Sequence, residues 1–520
     1  MHIKRPPTHA RLNSTKTSLF PLLGATLFIL VVTPQSVSGQ SNDAQSTQWR
    51  LPAIRHALEM KSFKDLDSGS DAPPNIIPVF GKDDDPDGAV ATYQPTGPTL
   101  TSGNAFFQNI GANGRTCFTC HQPKTGWTVS AASIKDRFAA SGGSDPIFRL
   151  VDGATCPTDN IKTLGDKRQA YKLLIEKGLI RIALPMPANS QFEVIKVDDP
   201  YNCTTNPVTG LTSKTEGMIS VYRRPLPATN LGFLTSIMWD GREPSLSSQA
   251  IDATQGHAQA SQPPKPEQAD QIVKFETNLF TAQYFDNKAR RLDADGAHGG
   301  PVPIAAELPK FFVGINDPLA LGADFDPDIF DLYNSPMWQG LQDKEGDEDG
   351  GIARYRRSIA RGERLFNTTK FNISGVTGLN DTLGQPSISG FCGTCHDTPD
   401  VGNHSVKLPL NIGVANAGRD RPPALDISDL PVFTLKCTQG PLAGQKFIVT
   451  DPGRALISGN CTDIGKLKGP ILRGLASRAP YFHNGSAATL LDVVNFYDQR
   501  FAIGFSEEDK KDLVNFLDSL

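Results

Sequence analysis

A chain of 520 residues is too long for one ordinary domain and long enough for two with insertions. A formal net charge of −4 with 20% charged residues excludes a polyphosphate-binding surface, so no nucleic-acid partner is expected. Pro 40 and Gly 47 point to a loop-rich protein rather than a regular alternating α/β sheet.

Residues 1–39 read as a secretory signal peptide. Lys4, Arg5, Arg11 and Lys16 precede the apolar run Leu19–Val32, and the small Val37 and Gly39 precede a cleavage expected after Gly39. The run is short for a membrane span, so a retained anchor is the weaker alternative. The expectation is a periplasmic protein with no membrane span after signal removal. Residues 40–100 form a polar N-terminal extension. Within it Asp83, Asp85, Asp87 and Gly88 imitate the opening of a calcium loop, but its twelfth position is Gln94 rather than a bidentate Glu. A solvated acidic turn is the better reading.

"RTCFTCHQP" (Arg115–Pro123) then brings Cys117, Cys120 and His121 together, and "FCGTCHDTP" (Phe391–Pro399) repeats the pattern with Cys392, Cys395 and His396. A zinc ribbon needs two C-x-x-C pairs at short separation, and a thioredoxin-type pair does not explain a histidine in both copies. Haem attachment explains every letter. The thiols add to the porphyrin vinyl groups and the adjacent imidazole becomes the axial ligand. Two covalent haems c per chain follow, with His121 and His396 as proximal ligands. The other four cysteines, Cys156, Cys203, Cys437 and Cys461, are an even set in an oxidising compartment. Their proximity suggests Cys156–Cys203 and Cys437–Cys461, although buried free thiols stay an alternative.

The first haem domain spans 101–341, with an insertion of about 130–220, and 342–351 is a charged linker. The second haem domain, 352–520, opens with a helix that presents Tyr355, Ile359, Gly362, Leu365 and Phe366 on one face. It closes with a helix capped by Ser506, acidic in its first turn, with a stripe of Leu513, Leu517 and Leu520. Strand-like alternation is scarce, so the fold class is mainly α.

"MWDGREPSLSSQA" (Met238–Ala250) and "LRGLASRAPYFHNGSAATLLDVVNFY" (Leu472–Tyr497) resemble the bacterial di-haem cytochrome c peroxidases and their relative MauG. The resemblance covers both haem motifs and roughly residues 100–520 outside the insertion. It implies two cytochrome c-like domains facing each other, one haem reacting with hydrogen peroxide and the other relaying electrons. It also implies that Trp239 is the inter-haem tryptophan, Gln249 a residue near the reactive haem, and His483 a residue at the edge of the second haem. The acidic residue that moves the peroxide proton in the family falls on Gln259 here, which cannot do so; His257, two residues earlier, can. The family calcium site is in doubt, because Arg224 and Arg478 stand where it has neutral oxygen ligands.

The family's sixth ligand to the second haem, a methionine fourteen positions after the "PYFH" histidine, is Tyr497 here, as in MauG, and the chain has no Met after Met337. Leu490, Val493, Val494 and Tyr497 share one helical face, so the phenol should point inward. The implied activity is peroxide reduction with electrons from a small cytochrome c, a copper protein or a protein side chain; a homodimer is compatible with it. A pure electron-transfer cytochrome and a di-haem oxygenase are the alternatives.

Overall fold

The computed structural model describes residues 72–201, 203, 218–340, 350–419, 421 and 423–520. The expected signal peptide, the first part of the extension and most of the linker 342–351 lie outside the described residues. Among those described, no helix is long and apolar enough to cross a membrane.

The C-terminal helices form as their sequences predict. Helix Gly350–Thr368 buries Ile359, Gly362 and Phe366, while Tyr355 and Leu365 sit half-buried. Helix Glu507–Asp518 starts at Ser506, whose hydroxyl accepts the Asp509 N–H at 3.1 Å. The two cross closely at Gly362, where an added Cβ would overlap the Asp512 carbonyl oxygen. Phe516 packs edge-on against Phe330 at 5.4 Å and lies 5.9 Å from Phe366. Truncating such a fully buried ring costs about 3–5 kcal/mol.

The first haem segment has its own aromatic core. Phe106 and Phe107, in the turn Ala105–Phe107, lie 4.8 and 5.0 Å from Phe275 of helix Pro266–Thr277. Trp127 completes the cluster and donates Nε1–H to Thr92 Oγ1 at 2.8 Å.

Among the described residues helix outweighs strand, 31% to 17%, but the sheets are more extensive than the scarce alternation led one to expect. Strands Phe80–Asp85, Gly88–Tyr93, Phe280–Asp286 and Arg290–Arg291 form one antiparallel sheet, which ties the extension to the first haem segment. Gly88–Tyr93 and Phe280–Asp286 are covered on both faces, and doubly buried strands carry no alternation to read. A second sheet pairs Phe192–Asp198, from the insertion, with Val432–Cys437, which also pairs Lys446–Val449. The cysteines are joined as 156–203 and 437–461, with Cα–Cα distances of 5.3 and 6.1 Å.

The calcium-like stretch is a hairpin. Asp85 Oδ1 accepts the N–H groups of Asp87 and Gly88, and Gln94 is fully buried with its amide donating to Ile77 O and Pro78 O. The acidic turn is less solvated than its composition suggests, since burial pushes Asp83 up to about 7 and Asp85 up to about 6.

Candidate functional site: two histidine-bearing cavities

The two Cys-x-x-Cys-His segments fold alike. Each is a single 3₁₀ turn, Cys117–Thr119 or Cys392–Thr394, closed by the histidine N–H donating to the first cysteine carbonyl at 3.0 and 3.1 Å. In each, the threonine hydroxyl accepts the N–H of the residue before the first cysteine, at 3.0 and 2.9 Å. His121 Nδ1 lies 2.8 Å from Trp127 O and His396 Nδ1 lies 2.7 Å from Gly402 O. A carbonyl can only accept, so each Nδ1 carries the hydrogen and each Nε2 keeps its lone pair. This is the arrangement of a metal-ligating imidazole with its outer partner in place.

Burial keeps both imidazoles neutral, pushing His396 down to about 4 and His121 in the same direction. The four cysteines are not disulfide-bonded, and burial pushes all of them up, Cys392 and Cys395 to about 12. Thiols held neutral make a poor redox pair. Each histidine also has a phenylalanine from its own core beside it, Phe106 at 6.3 Å from His121 and Phe366 at 6.2 Å from His396.

Each turn borders a separate apolar cavity. Cys117, Cys120 and His121 line the first; Cys392, Cys395 and His396 line the second. The two share a wall made by Pro225–Pro227, Lys468 and Pro470. Neutral imidazoles, paired thiols and apolar walls fit a covalently attached haem in each.

Helix Leu246–Gly256 and the residue after it bring Gln249 and His257 to the first cavity. His257 Nδ1 contacts Asp152 Oδ2 at 2.6 Å, and Asp152 Oδ1 accepts from Arg115 Nη1 at 2.6 Å. Gln259 is not among the cavity residues, and its side chain accepts from Asn113 Nδ2 at 3.2 Å. Glu276 reaches the cavity as well; it is 6% exposed, its Oε2 has no partner, and burial pushes its carboxyl up to about 8. Asp152 and Glu276 escaped the sequence reading, since no spacing links them to the haem motif, and Arg115, although it opens the quoted stretch, carries no signal for a role there.

The predicted helical face is the one that lines the second cavity: Leu490, Val493, Val494 and Tyr497 all border it. Tyr497 packs among Phe482, Phe496 and Phe501, and burial pushes its phenol well above the usual range. Trp239 and His483 border the same cavity with ring centroids 6.1 Å apart. Trp239 Nε1 donates to Arg224 O at 2.8 Å, and its neighbour Met238 lines the first cavity, so the Trp-Asp-Gly-Arg turn reaches both. Asp240 in that turn binds Arg223 at 2.5 Å, and Arg223 also binds Asp451 at 2.6 Å, all three buried. Removing one partner of such a network costs about 3–5 kcal/mol.

Arg224 explains the doubt over calcium. Its guanidinium donates to the carbonyl oxygens of Lys177, Val129 and Arg478 at 3.0, 2.8 and 2.6 Å. A guanidinium there occupies the oxygen ligands that a cation would need.

Each of the two turns has the residues and geometry that suit attachment of a c-type haem. No protein-family model matches the chain. Cytochrome-c peroxidase IdrP2 of Denitromonas iodatirespirans is 34% identical over 143 residues, covering 25% of this chain and 36% of that protein. Cytochrome c551 peroxidase of Nitrosomonas europaea is 26% identical over 266 residues, covering 49% and 65%. A solved MauG-like protein associated with microbial copper homeostasis shares 16% identity over 60% of this chain and 79% of its own, at a TM-score of 0.28, too loose an overlay to bear on the fold. The chain is similar over part of its length to proteins named cytochrome-c peroxidase, and it spans 36% of the length of IdrP2 and 23% of that of IdrP1 from the same organism.

Proposed function

We propose that the chain is an exported, periplasmic di-haem oxidoreductase that reduces hydrogen peroxide with electrons from a small cytochrome c or copper protein, or from a protein side chain. The observation that carries this reading is the duplicated turn, in which each histidine spends Nδ1 on a backbone carbonyl and leaves Nε2 for its own apolar cavity.

In this reading Cys117 and Cys120 would hold one haem by thioethers and His121 would ligate its iron. Cys392, Cys395 and His396 hold the second, with Tyr497 as its other ligand and His483 beside it. A bound haem supplies an iron that takes peroxide and stores its oxidising equivalents. Around the first cavity, Gln249 orients peroxide while His257 moves its proton between the two oxygens. Trp239, against the shared wall, offers an oxidisable ring between the two sites. A first haem domain at 101–341, with its insertion at about 130–220, and a second at 352–520 face each other across that wall.

A pyridine haemochrome assay should give two haems per chain that acid acetone does not extract. One equivalent of peroxide should then change the visible spectrum. One haem, or an extractable one, would end this reading. A second reading rests on Met238, a residue of the first cavity's lining that carries a thioether of the kind that closes the iron of an electron carrier. Failure of cyanide to bind either haem would favour the carrier.

A further inference from the structure

The first cavity contains a polar constellation that the haem motif does not require. Arg115, two residues before Cys117, is 3% exposed and spends its guanidinium entirely on protein. Nε donates to Pro146 O at 2.9 Å, Nη2 to Ile147 O at 2.6 Å, and Nη1 to Asp152 Oδ1 at 2.6 Å and His257 O at 3.2 Å. These bonds fix the segment 146–152, just ahead of the Cys156–Cys203 bridge, against the end of helix Leu246–Gly256. Asp152 is 4% exposed and both its oxygens are engaged, Oδ1 by Arg115 and Oδ2 by His257 Nδ1 at 2.6 Å. Burial alone would raise its carboxyl, but the His257 hydrogen bond and the Arg115 charge hold it below the usual carboxylate range.

A carboxylate can only accept, so His257 carries a hydrogen on Nδ1 and presents Nε2 as the ring nitrogen left for the cavity. We infer that Asp152 is a positioning residue, which fixes the ring and tautomer of His257 so that Nε2 can take and return a proton in the first haem cavity. This deepens the proposed function and rests on it. The insertion thereby supplies, through Asp152, the carboxylate that holds His257, while Gln259 cannot carry a proton. The charged and titratable groups around His257 are Asp152, Arg115 and His121, with Cys117, Cys120, Glu276 and Lys468 also lining the cavity.

The test uses ligands that differ only in whether they bring a proton. Hydrogen cyanide and hydrogen peroxide must each surrender one as they bind, whereas carbon monoxide on the reduced haem surrenders none. Asp152→Asn should retain full haem content and bind carbon monoxide at the wild-type rate. Cyanide association and the peroxide reaction should both slow about 100-fold or more, with a changed pH profile. Asp152→Glu should restore much of the loss. His257→Gln should match Asp152→Asn, and the double variant should lose little more, because the two act as a unit.

Wild-type cyanide and peroxide rates in Asp152→Asn would overturn the inference. So would an equal slowing of carbon monoxide, which would make the pair a structural staple only. Should Asp152→Asn fail to hold haem because it strands the buried Arg115 charge, Arg115→Gln/Asp152→Asn removes both charges and is read in the same way. A wild-type protein that binds neither cyanide nor peroxide would instead refute the proposed function.

Discussion

Tyr497 and His396 meet in the second cavity with ring centroids 6.4 Å apart and planes inclined at 73°. The phenol has apolar ring neighbours and shares its cavity with an imidazole whose Nε2 is free. Oxygen ligation favours ferric iron, whereas a thioether favours ferrous. Tyr497→Met should therefore raise the potential of one haem and bring in a methionine–iron charge-transfer band. Tyr497→Phe should open that iron to added imidazole or cyanide. Spectra and potentials unchanged in Tyr497→Phe would reduce the residue to core packing and turn attention to His404, which borders the same cavity.

The two cystine bridges close loops in separate parts of the chain, with sequence separations of 47 and 24. Each should contribute about 3–4 kcal/mol by loop closure. Alkylation of the denatured holoprotein should find no free thiol without reductant and four with it. Four free thiols before reduction would rule the bridges out.

We propose that the Arg224 guanidinium, which holds three carbonyl oxygens, stands in for calcium in this chain. Chelator or added calcium should leave peroxide turnover and thermal stability unchanged in the wild type. Arg224→Ala should lower the melting temperature by stranding those carbonyls, each at a cost of about 1–3 kcal/mol. A calcium-dependent melting temperature in the wild type would contradict the assignment.

Glu276 supplies a pH dependence of defined sign. Burial raises its carboxyl from 4.5 to about 8 in the folded chain. Between those values the unfolded chain gives up a proton that the folded chain keeps, so stability falls as pH rises through that window. Glu276→Gln should match the wild type near pH 4 and exceed it in melting temperature at pH 8. Equal differences at both pH values would place the carboxyl's charge elsewhere.

Local chemistry made the haem-type turns legible, because cysteines, histidine and their spacing all fall within five consecutive residues. The Tyr497 face was legible for a similar reason, being set by the period of one helix. Counting along a motif brought His257 into view but could not reach Asp152, 105 positions away in a loop with no periodicity. Strands Gly88–Tyr93 and Phe280–Asp286 escaped because both of their faces are covered. Arg224 was legible as a cation standing where the family has calcium ligands, but the three carbonyls it binds come from distant turns that only the folded chain assembles.

The pairing of Phe192–Asp198 with Val432–Cys437 has a consequence for how the protein could ever be divided. A fragment beginning near residue 352 would leave Val432–Cys437 with one rank of N–H and C=O groups unpaired, an open edge that invites intermolecular strand addition. The separately expressed second haem segment should therefore aggregate, and co-expression with a first segment that retains residues 192–198 should rescue its solubility. Evolution by exchange of whole haem modules would meet the same obstacle, since the seam between them is stitched by backbone rather than by side chains that can be swapped one at a time.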